Sequence, residues 1–202
     1  MHCEYYDDRG AAGFTWMVDE PLTRTSHALA AEGRVWLVDP VDWPDAIERA
    51  RGLGAPAGVI QLLDRHGRGC AAVAERLGVP HLVVPDAIPE SPFELISVMR
   101  RRRWDERAIW WEQERTLVVA EAIGTNPFFR IGSDAAGVHP FLKALPPRKQ
   151  LGRVTPEHLL VGHGPGIHGS SATAALQQAL GRSRLSVLRW LVTLPRVMRR
   201  AK

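Results

Sequence analysis

Cysteine is almost missing from this chain. Cys3 and Cys70 are the only two in 202 residues, and they form no CxxC pair. A disulfide framework is excluded, and a reducing cytoplasm is the expected compartment. No stretch approaches the roughly 18 consecutive apolar residues of a membrane-spanning helix. The first ten residues, MHCEYYDDRG, are polar and hold no apolar centre, so no secretory leader is expected. Internal repeats and low-complexity segments are absent. No G-x-S-x-G elbow surrounds Ser170 or Ser171, which argues against a serine nucleophile of that kind. The glycines of GHGPGIHG, residues 162–169, are not followed by Lys-Ser or Lys-Thr, so a phosphate loop is not expected. Acidic residues are absent from 182 to 202, where the basic ones gather.

What is present is the composition of a soluble globular protein, 45% hydrophobic and 24% charged, with a net charge of +4. The length suits one domain with a real core, so a single domain over 1–202 is expected, ending in a basic helix over about 183–202. Short apolar runs read as strands at 13–18, 23–30, 35–38, 59–63, 81–84, 94–98, 108–111, 116–120 and 159–161. The arginines at 100–103 read as a polar excursion. Helical spacing places Ala46, Ile47, Ala50 and Leu53 on one face of a helix from about Pro44. A second helix, 70–77, is stopped by Gly78 with Pro80 beyond. Residues 123–156 read as long loops with one short helix near 139–145. Ser170 or Ser171 is expected to cap a helix through Gln178, interrupted at Gly181. Strands first, then βαβ-like units, then more strands and terminal helices imply a layered α/β protein with mixed sheets.

Four strand ends carry polar residues. One buried strand ends in Asp39, and another runs into the turn Asp64-Arg65-His66 and opens a helix. A third ends in Ala120-Glu121-Ala122, and a fourth in Gly162-His163-Gly164-Pro165. This order and spacing resembles the metallo-β-lactamase fold, an αββα sandwich of hydrolases, over about residues 13–178. In that family the turn after the central strand reads HxHxDH. Histidines at i and i+2 of an extended segment point the same way and can share one metal. Two metals together polarise the substrate and supply hydroxide at neutral pH. Here Gln61, Leu63, Arg65 and His66 stand at the four motif positions, so only the last histidine is kept. No histidine lies between 92 and 117 to complete the first site. The resemblance implies Glu121 as the counterpart of the bridging aspartate and His163 as that of the C-terminal histidine. The implied metal set is therefore His66, Glu121 and His163, with Gln61, Asp64 and Arg65 around the pocket.

Each of these residues also has a plainer reading. His66 and His163 can be hydrogen-bonded loop residues. Glu121 can pair with Arg65, whose permanent charge stands where a cation would bind. Asp39 can satisfy backbone donors at its strand end. Cys70 leads an apolar helical stripe with Val73, Ala74 and Leu77 and reads as a buried, inert thiol. Trp110 and Trp111 read as strand tryptophans of the core rather than a base-stacking platform. Three functions stay open. The first is a non-hydrolytic binding or scaffold protein with a degenerate site and no cofactor, whose partner is a small molecule or a protein. The second is a hydrolase of an ester, thioester or phosphoester with one divalent metal (zinc, iron or manganese). The third is a peripheral membrane or nucleic-acid-associated protein acting through the basic C-terminal segment, nucleic acid being the less expected partner.

That segment supplies the first prediction. Leu185, Leu188, Leu191 and Val192 recur at helical spacing, with Arg184, Arg189, Arg196, Arg199 and Arg200 around and beyond them. Such a stripe either packs on the domain or makes weak, salt-sensitive contact with an anionic membrane. Sedimentation with anionic and neutral vesicles separates the two, using full-length protein and a form ending at Gly181. Membrane contact requires that only the full-length form sediments, and only with anionic vesicles at low salt.

Overall fold

A computed structural model describes residues 2–185 and Val187. Six strands form the first sheet, in chain order: β1 (Cys3–Tyr6), β2 (Gly13–Val18), β3 (Thr25–Ala31), β4 (Arg34–Val38), β5 (Ala55–Gln61) and β6 (His81–Val83). The first four pair antiparallel, and β4, β5 and β6 run parallel. Helices α1 (Pro44–Arg51) and α2 (Cys70–Leu77) are the crossovers that parallel pairing requires. The second sheet holds β7 (Glu94–Arg101), β8 (Trp104–Trp111), β9 (Thr116–Val119), β12 (His158–Val161) and β13 (Ile167–His168), in the order β13-β12-β9-β8-β7. Its β9 and β12 are parallel neighbours. A two-stranded ribbon, β10 (Ile123–Gly124) with β11 (Gly137–Val138), lies between them in the chain, followed by the short helix α3 (Arg148–Leu151). Helix α4 (Ser170–Arg182) closes the described chain.

Alternation along the strands builds the layers. Ala28 and Ala30 of β3, and Val35 and Leu37 of β4, pack with Ala46, Ile47, Ala50, Cys70, Val73 and Ala74 of α1 and α2. Their neighbours Leu29, Trp36 and Val38 join the other core, with Ile109, Leu117 and Val119 of the second sheet. The same core takes Ala172, Ala175, Leu176, Ala179 and Leu180 of α4. Helices on the outer side of each of two packed sheets make an αββα sandwich, as the resemblance implied.

Several boundaries differ from the sequence reading for physical reasons. Strand β5 starts at Ala55, with Ala55 and Pro56 in register with Arg34 and Val35 beside a bulge at Val35/Trp36. The bulge accommodates a proline that cannot donate to the ladder. Arg100 and Arg101 are not an excursion. They end β7 opposite Asp105 and Trp104, at the tip of a hairpin. The expected helix near 139–145 is a 3-10 turn, Pro140–Leu142. No serine caps α4. Its N-cap is Gly169, and Ser171 Oγ instead donates to the His168 carbonyl at 2.6 Å. Gly181 does not interrupt the helix, which continues to Arg182. Edge strands β1 and β13 are short and carried no apolar signal. The basic helix expected over 183–202 lies outside the described residues, apart from 183–185 and Val187.

At one end the two sheets are joined by main chain on both flanks. Thr25 N–H donates to the Gly162 carbonyl at 2.9 Å. Across the sandwich, Arg107 N–H donates to the Leu62 carbonyl at 2.8 Å and Asp64 N–H to the Asp105 carbonyl at 3.1 Å. His27, buried in β3, adds a side-chain link. Its Nδ1 lies 2.9 Å from Thr15 Oγ1, and the ring faces the Val161 backbone of the second sheet.

Burial pushes the His27 pKa down to about 4. The unfolded chain takes up this proton near pH 6.5 and the fold resists it. The stability that goes with neutral His27 is therefore full above pH 6.5 and lost as pH falls towards 4. The loss expected from this residue is about 3 kcal/mol. Denaturant melts from pH 7 to 4 on the wild type and on His27→Gln check this. The variant starts less stable at pH 7 and falls less steeply.

Candidate metal centre

The four polar strand ends meet where the two parallel pairs deliver them. Asp39 follows β4, in the left-handed backbone region with φ 45°. Its Oδ1 accepts the Leu62 N–H at 2.9 Å and its Oδ2 lies 3.0 Å from His66 Nδ1. Burial pushes this carboxyl up, but His66, Arg68 and the Leu62 N–H together hold it below its ordinary range. An ionised acceptor at Nδ1 holds a proton there and leaves Nε2 as the ring atom that faces the pocket. That Nε2 lies 3.9 Å from Glu121 Oε2. A carboxylate behind a histidine in this way is the arrangement that orients metal-binding imidazoles.

His163 is prepared by a different partner. Its Nδ1 donates to the Leu22 carbonyl at 2.9 Å, and its Nε2 is buried with no hydrogen-bond partner. Burial pushes this residue down to about 3, with Arg68 and His66 adding to the effect. The two histidine rings stand 5.5 Å apart, edge to face. One atom from each of His66, Glu121 and His163 lies within 4.8 Å of the others, the one such set of three among the described residues. Two neutral imidazole nitrogens and a carboxylate oxygen are a donor set that zinc, iron or manganese accepts. The orphaned nitrogen of His163 fits such an ion, because a buried acceptor without a partner is otherwise costly.

Glu121 is held from three sides. Arg65 donates to its Oε2 through Nη2 at 2.9 Å and Nε at 3.2 Å. His139 Nε2 lies 3.5 Å from its Oε1. Beneath it, buried Glu106 accepts the N–H groups of Glu121 and Ala122 at 2.9 Å each, and the Trp104 indole N–H at 2.7 Å. Burial pushes Glu106 up to about 7 against these three donors. His139 was not singled out in the sequence. It accepts the Phe141 N–H at Nδ1 and is packed against Trp104, Phe128 and Phe129, and burial pushes it down to about 4.

The site opens into a cavity of about 540 Å³ lined by His66, Glu121, His163 and Arg65, with Arg68, Arg24, Glu20 and the Pro21-Leu22 turn completing the wall. Arg24 is paired with Glu20. Arg68, at φ 39°, sends its guanidinium to the carbonyls of Thr25 (2.6 Å), Asp39 (3.0 Å) and Gly162 (3.0 Å), which stitches three strand ends together. Arg24 had no sequence signal beyond its charge, whereas Arg68 stands in the same polar turn as His66. Gln61 and Asp64 do not line this cavity. The Gln61 amide donates to the carbonyls of Leu63 (2.9 Å) and Asp64 (3.2 Å), and Asp64 is exposed. Leu63 is fully buried in the core between the sheets. The two positions that would carry the first metal's histidines are thus structural. Cys70 is buried, and burial pushes its thiol up to about 12, so it is no nucleophile at neutral pH.

No family model and no curated protein matches this chain. Solved structures do. A metallo-β-lactamase from Pontibacter korlensis is 12% identical, with a TM-score of 0.61 over 89% of this chain and 99% of that one. The metallo-β-lactamase FIM-1 from Pseudomonas aeruginosa, in its mono-zinc form, is 11% identical, with a TM-score of 0.60 over 92% and 97%. Rubredoxin:oxygen oxidoreductase from Desulfovibrio gigas is 13% identical, with a TM-score of 0.63 over 89% of this chain but 61% of that one. The chain has the metallo-β-lactamase fold. Among the described residues, no helix is long and apolar enough to cross a membrane.

The Asp39 contacts predict a specific defect. Asp39→Asn keeps one acceptor and loses the charge behind His66. The expected cost is about 2 kcal/mol of stability from a buried, charge-assisted hydrogen bond. Nitrogen-15 spectra of the His66 ring should then lose the clean Nδ1-protonated tautomer.

Proposed function

We propose that this protein is a single-metal hydrolase of a small anionic ester, thioester or phosphoester. The observation that carries this is His163: one ring nitrogen is committed to the Leu22 carbonyl and the other is buried, unprotonated and without a partner beside His66 and Glu121. A divalent ion held by these three residues would polarise the scissile bond and lower the pKa of a bound water towards neutrality. The chain's own groups do the rest. Asp39 and the Leu22 carbonyl keep both imidazoles in the tautomer that presents Nε2. Glu106 and the aromatic shelf around His139 hold Glu121 in place. The cavity wall sets Arg24, Arg65 and Arg68 against Glu20 and Glu121, three positive charges to two negative, and this small positive excess favours an anionic substrate. The fold is compatible with a hydrolase, and it is shared with an oxidoreductase as well, so the reading rests on the site and not on the neighbours.

A second reading is favoured by the Arg65–Glu121 ion pair. In it the guanidinium replaces the metal charge permanently, and the cavity binds a small anion without turnover. Metal binding decides between the two. Full-length protein stripped with chelator is dialysed against zinc or manganese and analysed for bound element. The first reading expects one ion per chain, lost in His163→Ala and in His66→Ala. It also expects metal-dependent cleavage within a panel of p-nitrophenyl acetate, p-nitrophenyl phosphate, bis-p-nitrophenyl phosphate and an acyl thioester. Two ions per chain would contradict the structural roles of Gln61 and Leu63. No ion at micromolar metal would leave the anion-binding reading.

A further inference from the structure

Glu121 Oε2 has two claimants. It is the carboxylate oxygen 3.9 Å from His66 Nε2, and it also accepts both the Nη2 and the Nε of Arg65. A guanidinium bonded twice to one oxygen occupies the lone-pair directions that an ion would need. Arg65 is not loosely placed. Its Nη1 donates to the Arg103 carbonyl at 2.7 Å and its guanidinium lies 4.1 Å from the Trp104 ring centroid. It is nonetheless the accessible member of the pair, with 42% of its side chain exposed against 16% for Glu121. The histidines are placed by partners on their far sides and do not depend on Arg65. Only the carboxylate is contested, and only the arginine has open solvent to move into.

From this geometry we infer that Arg65 is an intramolecular competitor for the metal. The metal-free and metal-bound states differ in which cation Glu121 holds, and taking up the ion sends the guanidinium off Glu121 and off Trp104. This inference rests on the one-metal reading above. It has three consequences. Metal affinity is set weaker than the three donors alone would give. Metal binding carries an optical signal, because the cation stacked on Trp104 leaves. In the loaded state Arg65 is a free positive charge at the mouth of the cavity, available to an anionic substrate only when the ion is present.

The test is a zinc titration of full-length protein against a chromophoric chelator, with tryptophan emission followed in parallel. Wild type, Arg65→Gln, Arg65→Lys and Arg103→Gln are compared. Arg103 is an exposed arginine at the β7–β8 hairpin turn and meets Arg65 only through its main-chain carbonyl, so its variant removes a nearby charge without touching the Glu121 carboxylate. Arg65→Gln is expected to bind zinc about tenfold more tightly than wild type, as loss of a partly buried charge-assisted pair implies. It should also lose the emission change. Arg65→Lys keeps the charge but not the fork, and should fall between the two. Arg103→Gln should stay within about twofold of wild type, since exposed charges are screened. Equal affinities in wild type and Arg65→Gln would overturn the competition while leaving the one-metal reading intact. Equal gains in Arg65→Gln and Arg103→Gln would reduce the effect to general repulsion and also overturn it. Absence of zinc binding in every variant would remove the one-metal reading, and this inference with it.

Discussion

The Asp39 carboxylate is the interaction on which the site end of the molecule depends. One oxygen fixes the backbone where β5 gives way to the His66 turn, and the other fixes the His66 ring. Its own carbonyl accepts from Ser26 Oγ and from Arg68. A buried anion is tolerated there because each carboxylate oxygen has a donor and a permanent cation lies close by. Without it, the Leu62 N–H, the His66 Nδ1–H and the Arg68 charge would all be left partly unmatched. The left-handed backbone at Asp39 is the local cost of turning the chain sharply enough to reach all of them.

The main-chain bonds between the sheets give that network a rigid frame. Thr25 with Gly162 on one flank, and Leu62 with Arg107 on the other, set the separation of the four strand ends. His66 comes from the first sheet, Glu121 and His163 from the second. Their approach to within 4.8 Å is therefore a property of how the sheets are joined. Sites built on strand ends inherit this precision, and loops alone would not supply it.

The fold was readable in the sequence wherever burial left a clean period. The alternation in β3 and β4 and the apolar stripes of α1 and α2 announced two faces and two layers. Asp39, His66, Glu121 and His163 were readable because each follows an apolar run, and strand ends of parallel pairs converge. The rest was hidden for identifiable reasons. Strands β1 and β13 are edge strands of four and two residues, too short for any period to emerge. Gln61 and Asp64 looked like pocket residues because neighbours in sequence were. The local turn instead spends the Gln61 amide on two carbonyls and leaves Asp64 in solvent. His139 sits in a stretch without periodicity, and only three-dimensional packing against Trp104 and Phe129 brings it to Glu121. Arg68 stands in the polar turn with His66, but its role was hidden, because its three carbonyl partners come from segments up to 94 positions away.

Gln61 and Leu63 also limit how the site could be changed. Gln61 holds the turn that shapes His66, and Leu63 is part of the packing between the sheets. Putting histidine at either position would break something the molecule now relies on, before any second ion could repay the loss. A second metal site is therefore several simultaneous changes away from this chain, whereas the wall formed by Arg65 and His163 can be altered without disturbing the packing between the sheets.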